Sequence, residues 1–250
     1  MTWKTHLIGG AQAGVLAACL TSEDAVGAGI VITSALLGSV MPDIDQPGSK
    51  LAKSDSLVGL MSHAISVFTG HRGITHTLPG AAIIAALFYL LAMFKTEKES
   101  VLAFFLAISA FVILHAAGSV FRRLAGYFAV LIYLAGPKIA ELLTEHDISI
   151  AVNERSAILC ASGVFLGCVS HMLYDTFNKG GIMWLWPFTR HDFSVLSIRT
   201  DSIGEFWFAA VQVVLLALVL SLCFREILEF QTLGGVIEKL REMEGLWRTW

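Results

Sequence analysis

The sequence predicts an all-α fold, a polytopic membrane bundle of about seven hydrophobic helices followed by a C-terminal amphipathic helix. Three observations predict this class. Hydrophobic residues make up 56% of the chain, and the mean hydropathy is +0.71. Charged residues make up 15%, whereas soluble domains carry about 25%. The apolar residues are gathered in long runs, and a helix needs about 20 of them to span a bilayer.

The predicted spans follow one another along the chain, separated by short polar or proline-containing breaks. In order, they cover residues 6–20, 25–41, 77–94, 100–118, 124–143, 156–174 and 205–224. Two longer connections, 43–76 and 176–204, lie between them. The second holds Trp184 and Trp186, which we expect at headgroup depth in irregular or short-strand structure.

The chain is expected to divide into a membrane-embedded domain, residues 1–224, and a tail, residues 225–250. Apolar residues in the tail recur at helical spacing with charges between them, which predicts an amphipathic helix lying in the interface. The net charge is −3 and no basic block occurs, so no nucleic-acid partner is expected. The sequence leaves the oligomeric state open.

The cysteines lie inside apolar runs, and no pair has the Cys-X-X-Cys spacing; they are Cys19, Cys160, Cys168 and Cys223. This pattern predicts small hydrophobic residues within helices, with no disulfide framework and no thiolate metal site.

If the seven spans alternate, the N-terminus and the connections 43–76 and 176–204 face the same side of the membrane. That side carries most of the lysines and arginines of the loops. The positive-inside rule therefore predicts that this side is cytoplasmic.

Histidine and aspartate residues collect at the same end of the predicted spans. His171 and Asp175 are four residues apart, so both side chains lie on one helix face and could bind one ion. Asp43 and Asp45 follow the end of the second span, and such neighbouring carboxylates repel unless a cation lies between them. Each pair also has a structural interpretation. His171 and Asp175 could simply hydrogen-bond each other at the interface, and Asp43 and Asp45 could belong to a polar turn that ends a helix.

The segment from His71 to His76 directly precedes the third span and holds two histidines five residues apart. Flanks of spans normally use lysine or arginine, so paired histidines favour metal binding over a basic flank. Arg72 would then lie beside an anionic substrate. His6 and His115, each alone on an apolar helix, are more often structural, and it is the joint placement of all these groups that favours a metal centre.

Nitrogen and oxygen ligands without thiolates suit a divalent transition metal, Zn²⁺ first, with Mn²⁺ or Fe²⁺ as alternatives. The ligands are too numerous for one four-coordinate ion, which allows two or three ions. Such ions lower the pKa of water and neutralise the oxygens of a phosphate ester. Asp55, Thr75 and Tyr174 are candidates for groups that support the ligands.

Several segments in this order and spacing resemble the YdjM-type membrane-bound metal-dependent hydrolases, whose bacterial members include LexA-regulated inner-membrane proteins. The segments are Pro42-Asp43-Ile44-Asp45, Gly70-His71-Arg72-Gly73-Ile74-Thr75-His76-Thr77, Ser170-His171-Met172-Leu173-Tyr174-Asp175, Trp186-Pro187-Phe188 and Arg199-Thr200-Asp201-Ser202, with His6 before them. The resemblance covers roughly residues 1–205. It extends distantly to the zinc-dependent phospholipase C and single-strand nuclease superfamily, which is all-helical with a trinuclear zinc site.

The resemblance implies that the metal ligands or their close support are His6, Asp43, Asp45, His71, His76, His171 and Asp175. His115 matches a further superfamily ligand, although Ser119 stands where the superfamily has aspartate. Asp201 stands where the family pattern has glycine. Asp45 is our choice for the general base or a bridging ligand, and Arg72 for the phosphate contact.

We therefore expect a multi-pass hydrolase of the bacterial inner membrane, with its metal site on the cytoplasmic side. Its expected substrate is a phosphoester of a lipid or another amphiphile that arrives from the bilayer. The alternative is a metal-ion or small-solute transporter, which should place ionisable residues in the middle of its spans. A third possibility is a structural protein whose metal only joins the helices.

Overall fold

A computed structural model of the chain describes residues 1–21, 25–45, 62–63, 66, 73–93 and 154–229. The regular structure in these ranges is helical: α1 (Trp3–Thr21), α2 (Ala25–Gly38), a 3₁₀ turn at Pro42–Asp45, a 3₁₀ turn at Ile74–His76, α3 (Leu78–Met93), α4 (Glu154–Asp175) and α5 (Ile203–Glu229). Each α-helix lies where a hydrophobic helix is predicted, so these five positions are confirmed. The predicted spans 100–118 and 124–143 lie outside the described residues, as does the tail after 229.

Within the described residues, fewer candidate spans occur than the sequence predicts there. Within the described ranges, three segments are long and apolar enough to cross a membrane: Gly27–Asp45, Glu154–Asp175 and Ile203–Cys223. Helix α1 falls short because polar residues, Lys4 and Gln12 among them, interrupt its apolar sequence. Helix α3 has 16 residues, about 24 Å at 1.5 Å per residue, less than the ~30 Å hydrocarbon core. The described residues thus form a helical membrane protein with three candidate spans, where five are predicted in the same ranges.

Helices α1, α3 and α5 begin at the end of the bundle where α2 and α4 finish. We call this end the polar end, because it holds His6, Asp45, His76, Asp175 and Glu205 and their mutual contacts. Apolar side chains fill the bundle beneath it. Val164 and Met172 of α4 pack with Leu37 of α2 and with Ala81 and Ala85 of α3.

Small residues bring α2 and α4 into backbone contact. A Cβ atom placed on Gly167 would lie 2.2 Å from the Ala35 carbonyl oxygen, and one on Gly38 would lie 2.2 Å from the Val164 carbonyl oxygen. Gly163, one turn before Gly167, approaches the Val31 carbonyl oxygen in the same way. Between helices in a membrane, close packing of this kind stabilises association, because burial from water contributes little there.

The connection between α4 and α5 folds against the polar end. It contains isolated bridges between Asn178 and Ile198 and between Ile182 and Phe193, which agrees with the predicted irregular or short-strand structure. The Leu78 amide of α3 donates to the carbonyl oxygen of Trp184 at 2.9 Å. The connection is therefore joined to the start of α3 as well as to α4 and α5.

One prediction about the cysteines is wrong, because a disulfide joins Cys19 and Cys223. Helices α1 and α5 run parallel and in contact, so residues 204 positions apart in sequence reach the same level. The positions of the cysteines in the sequence do not predict this disulfide. Cys160 and Cys168 are buried free thiols on α4, as predicted.

The glycine contact between α2 and α4 generates a stability prediction. Replacing Gly167 with alanine should destabilise the protein by roughly 1–3 kcal/mol, because the added methyl group overlaps the Ala35 carbonyl. Unfolding in detergent micelles measures the effect. Gly29→Ala is the control, since nothing lies within 4 Å of its added Cβ and alanine favours helices. Equal stability of the two variants would contradict the packing argument.

Candidate metal centre

Four separate elements contribute side chains to one cluster at the polar end. The start of α1, the Pro42–Asp45 turn, the Ile74–His76 turn and the end of α4 supply His6, Asp43, Asp45, His76, His171 and Asp175. The 3₁₀ turn at Pro42–Asp45 follows α2 and presents Asp43 to His171 of α4 and Asp45 to His76 of the second 3₁₀ turn. The i, i+4 spacing of His171 and Asp175 places both on the face of α4 that meets them.

His6, His171 and Asp175 form the first group whose ligand atoms could hold a metal ion. The Asp175 Oδ1 atom lies 3.4 Å from His6 Nε2, and its Oδ2 atom lies 3.6 Å from His171 Nε2. The two imidazole rings are stacked with their centroids 3.6 Å apart. All three side chains are buried. Asp175 Oδ1 also contacts the amino group of Met1 at 2.8 Å, so a positive charge lies at this carboxylate.

Asp43, His76 and His171 form the second group. Asp43 Oδ1 lies 3.8 Å from the Nε2 atoms of both histidines. These distances exceed a hydrogen bond, but two ligands at about 2.1 Å from one tetrahedral ion are about 3.4 Å apart. The spacing therefore suits atoms that converge on a cation.

The orientation of His171 is set by the backbone of α2. Its Nδ1–H donates to the Ser39 carbonyl oxygen at 2.7 Å. In a neutral ring, the Nε2 atom is then the unprotonated nitrogen and is free to bind a metal ion. This atom is buried and has no hydrogen-bond partner in the described part of the chain. This is the usual arrangement of a metal-binding histidine: one ring nitrogen, here Nδ1, is held by a carbonyl, and the other, here Nε2, faces carboxylates.

His76 is held in a similar way by Asp45. Its Nδ1 atom lies 3.2 Å from Asp45 Oδ2, and Thr75 Oγ1 donates to the same oxygen at 2.5 Å. Nε2 of His76 faces Asp43 and, at 4.0 Å, Oδ2 of Asp175. Asp45 belongs to neither of the two three-residue groups. Its Oδ2 atom thus supports His76, and the predicted roles of Asp45 as a ligand or general base stay predictions.

The donor set fits a divalent transition metal. It combines imidazole nitrogens with carboxylate oxygens and contains no thiolate, which suits zinc, manganese or iron. The buried Nε2 atom of His171 requires a polar partner, and a cation between it and the carboxylates would supply one. The residues present therefore fit the implied metal.

The other predicted residues are divided between described and undescribed parts of the chain. His71, Arg72, His115 and Asp55 lie outside the described residues. Thr75 contacts Asp45 as expected of a supporting group, whereas Tyr174 donates its hydroxyl to Gln12 at 2.6 Å and Gln212 at 3.0 Å. His63 and His191 are exposed and lie outside the cluster.

Sequence reasoning missed two groups at the polar end. The Ser39 carbonyl has no sequence signal, because any residue supplies one. Glu205 does have a signal: it is an acidic residue in the first turn of an otherwise apolar helix, and it is buried. It accepts a hydrogen bond from Thr5, the residue that precedes His6.

The fold and the cluster define a helical membrane protein with a possible metal-binding His/Asp centre at one end of its bundle. The model of the YdjM inner membrane protein family matches residues 1–229, and the chain belongs to this family. The chain is also similar to a Bacillus subtilis (strain 168) protein that carries the name Uncharacterized protein YvsG. The two are 27% identical over 224 residues, which cover 90% of this chain and 93% of that protein. No solved structure matches the chain.

The family assignment confirms the resemblance to YdjM-type membrane proteins, while the hydrolase activity stays a prediction. The matched range contains all six clustered residues and also His71, Arg72 and His115. The more distant similarity to phospholipase C enzymes is not among these matches and stays a prediction.

The contact behind His76 generates a prediction for metal affinity. Thr75→Val should weaken zinc binding by roughly 10-fold, because Asp45 loses a donor and holds His76 less firmly. Competition with a chromogenic chelator measures the affinity. Thr33→Val is the matched control, since the Thr33 hydroxyl bonds only its own helix at Gly29, on an exposed face. A Thr75→Val protein with unchanged affinity would contradict the supporting role of Asp45.

Proposed function

We propose that the protein is an integral membrane hydrolase that uses divalent metal ions to cleave a phosphoester of a lipid or another amphiphile. One observation carries the proposal: His171 directs a buried Nε2 atom without a hydrogen-bond partner in the described residues at two carboxylates, while its Nδ1 atom is held by a backbone carbonyl. Such an arrangement is costly to bury without a cation.

The geometry of Asp175 supports two ions. Its Oδ1 atom faces His6, whereas its Oδ2 atom faces His171 and His76. One Nε2 atom cannot bind two ions at once, but a carboxylate can bridge them through its two oxygens. His6 and Asp175 would hold one ion, and His171, His76 and Asp43 would hold the other. Zinc is the first candidate, with manganese and iron next; a third ion would need ligands such as His71 or His115.

Bound divalent ions supply positive charge for phosphoester oxygens and lower the pKa of a water molecule. The protein residues hold and orient the reacting groups. Asp43 is the only carboxylate of the two groups with appreciable exposure, 21% against 4% for Asp175. The accessible side of the centre is therefore at Asp43, and its carboxylate is placed to accept a proton there. Arg72 stays our prediction for the phosphate contact.

The surroundings of the centre support a substrate from the bilayer. The α4–α5 connection leads directly from one candidate span to the next, so it lies at the membrane edge. It exposes Phe188, Phe193 and Val195 near the polar end. Such apolar side chains at a membrane edge suit the chains of a lipid or a similar amphiphile.

We propose that the centre faces the cytoplasm. The positive-inside rule favours this side, and the Cys19–Cys223 disulfide favours it independently. Disulfides persist in oxidising compartments and are rare in the cytosol. Cys19 lies 13 residues after His6 on α1, about 20 Å along the helix. The disulfide therefore belongs to the opposite end of the bundle, the end expected to face an oxidising compartment.

A transporter is the rival function. In the three described candidate spans, the acidic and basic residues lie at the ends: Asp43, Asp45, Glu154, Arg155, Asp175 and Glu205. A pathway for ions should place such groups near the middle. A purely structural metal is disfavoured by the exposed edge of Asp43, because a structural site is usually closed.

The function is tested by metal content and turnover on the same detergent-purified samples. Wild-type protein should carry two transition-metal ions per chain by elemental mass spectrometry and should hydrolyse a generic phosphodiester. His171→Ala and Asp175→Ala should lose metal and lower turnover by roughly 100-fold or more. His191→Ala, on the exposed connection, is the control. Wild-type protein without stoichiometric metal would refute the proposal, and metal without turnover would favour the structural or transport alternatives.

The sidedness is tested by thiol labelling in cells. Cys19→Ala leaves Cys223 unpaired, and a membrane-impermeant maleimide should label it from outside. Thr189→Cys, at an exposed position of the α4–α5 connection, should be labelled only after the membrane is opened. Cys160 and Cys168 are buried and should contribute little signal. The reverse pattern would place the centre outside the cytoplasm.

A further inference from the structure

Glu205 is a buried carboxylate at the polar end that the proposed chemistry does not use. It lies in the first turn of α5 and is 4% exposed. Its Oε1 atom accepts hydrogen bonds from the Thr2 amide and, at 2.7 Å, from the Thr5 hydroxyl. Its Oε2 atom accepts from the Asp201 amide at 2.8 Å. A buried carboxylate needs such donors, because desolvation penalises the charged form.

The local sequence predicts a simpler role for Glu205 than the one observed. Ser202 and Glu205 have the Ser-X-X-Glu spacing of a capping box, in which the glutamate bonds the amide of the capping serine. Ser202 does accept from the Glu205 amide, at 3.3 Å. The Glu205 side chain instead reaches the neighbouring Asp201 amide and crosses to α1. It therefore joins two helices in addition to capping one.

The conformation of Asp201 indicates that this contact is specific. Asp201 has φ +57°, a left-handed conformation that non-glycine residues adopt at some cost. In this conformation its amide donates to Glu205. The turn before α5 is thus arranged around the glutamate carboxylate.

On α1, the contact falls beside a candidate metal ligand. Thr5 directly precedes His6, and successive residues on a helix point about 100° apart. Holding Thr5 against α5 therefore directs His6 toward α4, where its Nε2 atom lies 3.4 Å from Asp175. Thr2 and Thr5 also contact each other at 3.0 Å, so the whole first turn is held.

We propose that Glu205 is a positioning residue for the metal centre: it anchors the first turn of α1 so that His6 meets Asp175. This inference rests on the proposed function, in which His6 and Asp175 hold one of two ions. Removing the anchor should weaken the binding of that ion and leave the binding of the ion held by His76, His171 and Asp43 unchanged.

The first arm of the test measures the anchor without metal. Hydrogen exchange of the N-terminal peptide is followed in chelator-treated, full-length protein. Glu205→Ala should raise exchange at the His6 amide, which bonds the Thr2 carbonyl, by about 10-fold or more, because the first turn of α1 opens more often. Gln212→Leu is the control on the same helix. It changes the contact with Gln12 of α1, which lies about two turns further from the polar end than Thr5. Unchanged exchange in Glu205→Ala would overturn the anchor.

The second arm measures zinc titrated into the same proteins. Glu205→Ala should weaken one of two sites by about 10–100-fold, and Gln212→Leu should leave both sites unchanged. Thr5→Val tests the same contact with a smaller change, and Thr5→Ser, which keeps the hydroxyl, should restore wild-type affinity. Faster exchange with both zinc sites intact would make Glu205 merely structural and refute the inference.

The two proposals fail differently. Wild-type protein that binds two zinc ions, with Glu205→Ala binding two equally well, would refute the positioning role and leave the hydrolase standing. Wild-type protein that binds no zinc would refute the metal centre itself, and with it the role of Glu205 toward an ion.

Discussion

The backbone contact between α2 and α4 is the constraint on which the centre depends. Glycine at positions 38 and 167 lets the helices approach until no side chain fits between them. The Ser39 carbonyl can then reach Nδ1 of His171. Because Nδ1 is bonded there, the Nε2 atom faces Asp43 and Asp175. Helix packing and ligand orientation are therefore one property of this bundle, and a change at the glycines would disturb both.

Helix α5 supports the centre from outside. Much of its surface is exposed and apolar, including Trp207, Val214 and Leu222, as expected of a lipid-facing helix. Three of its residues contact α1: Glu205 and Gln212 by hydrogen bonds and Cys223 by the disulfide. Their main partners on α1, Thr5, Gln12 and Cys19, are seven residues apart, the spacing of a continuous seam between parallel helices. α5 thereby holds the helix that carries His6 along its whole length.

The sequence predicted much of the cluster because its residues stand at the ends of hydrophobic runs. Asp43, His76 and His171 could be assigned to one end of the bundle by counting spans. The contacts that orient them could not be predicted in this way. A carbonyl such as that of Ser39 leaves no trace in the sequence, and Glu205 resembles an ordinary capping residue. Asp45 is predicted as a ligand, and only the structure shows that it also contacts His76 Nδ1.

By itself, the sequence determined the membrane class, the positions of the five described helices and the kinds of ligand available. These follow from hydropathy and residue chemistry, which act residue by residue along the chain. The tertiary structure decided where the described helices begin and end, and so which of them are long enough to be candidate spans. It also decided that Cys19 pairs with Cys223, and which nitrogen of His171 faces the centre. Those features depend on the rotation and register of helices against one another. Rotation and register are set by close packing between residues far apart in the sequence, such as Ala35 and Gly167.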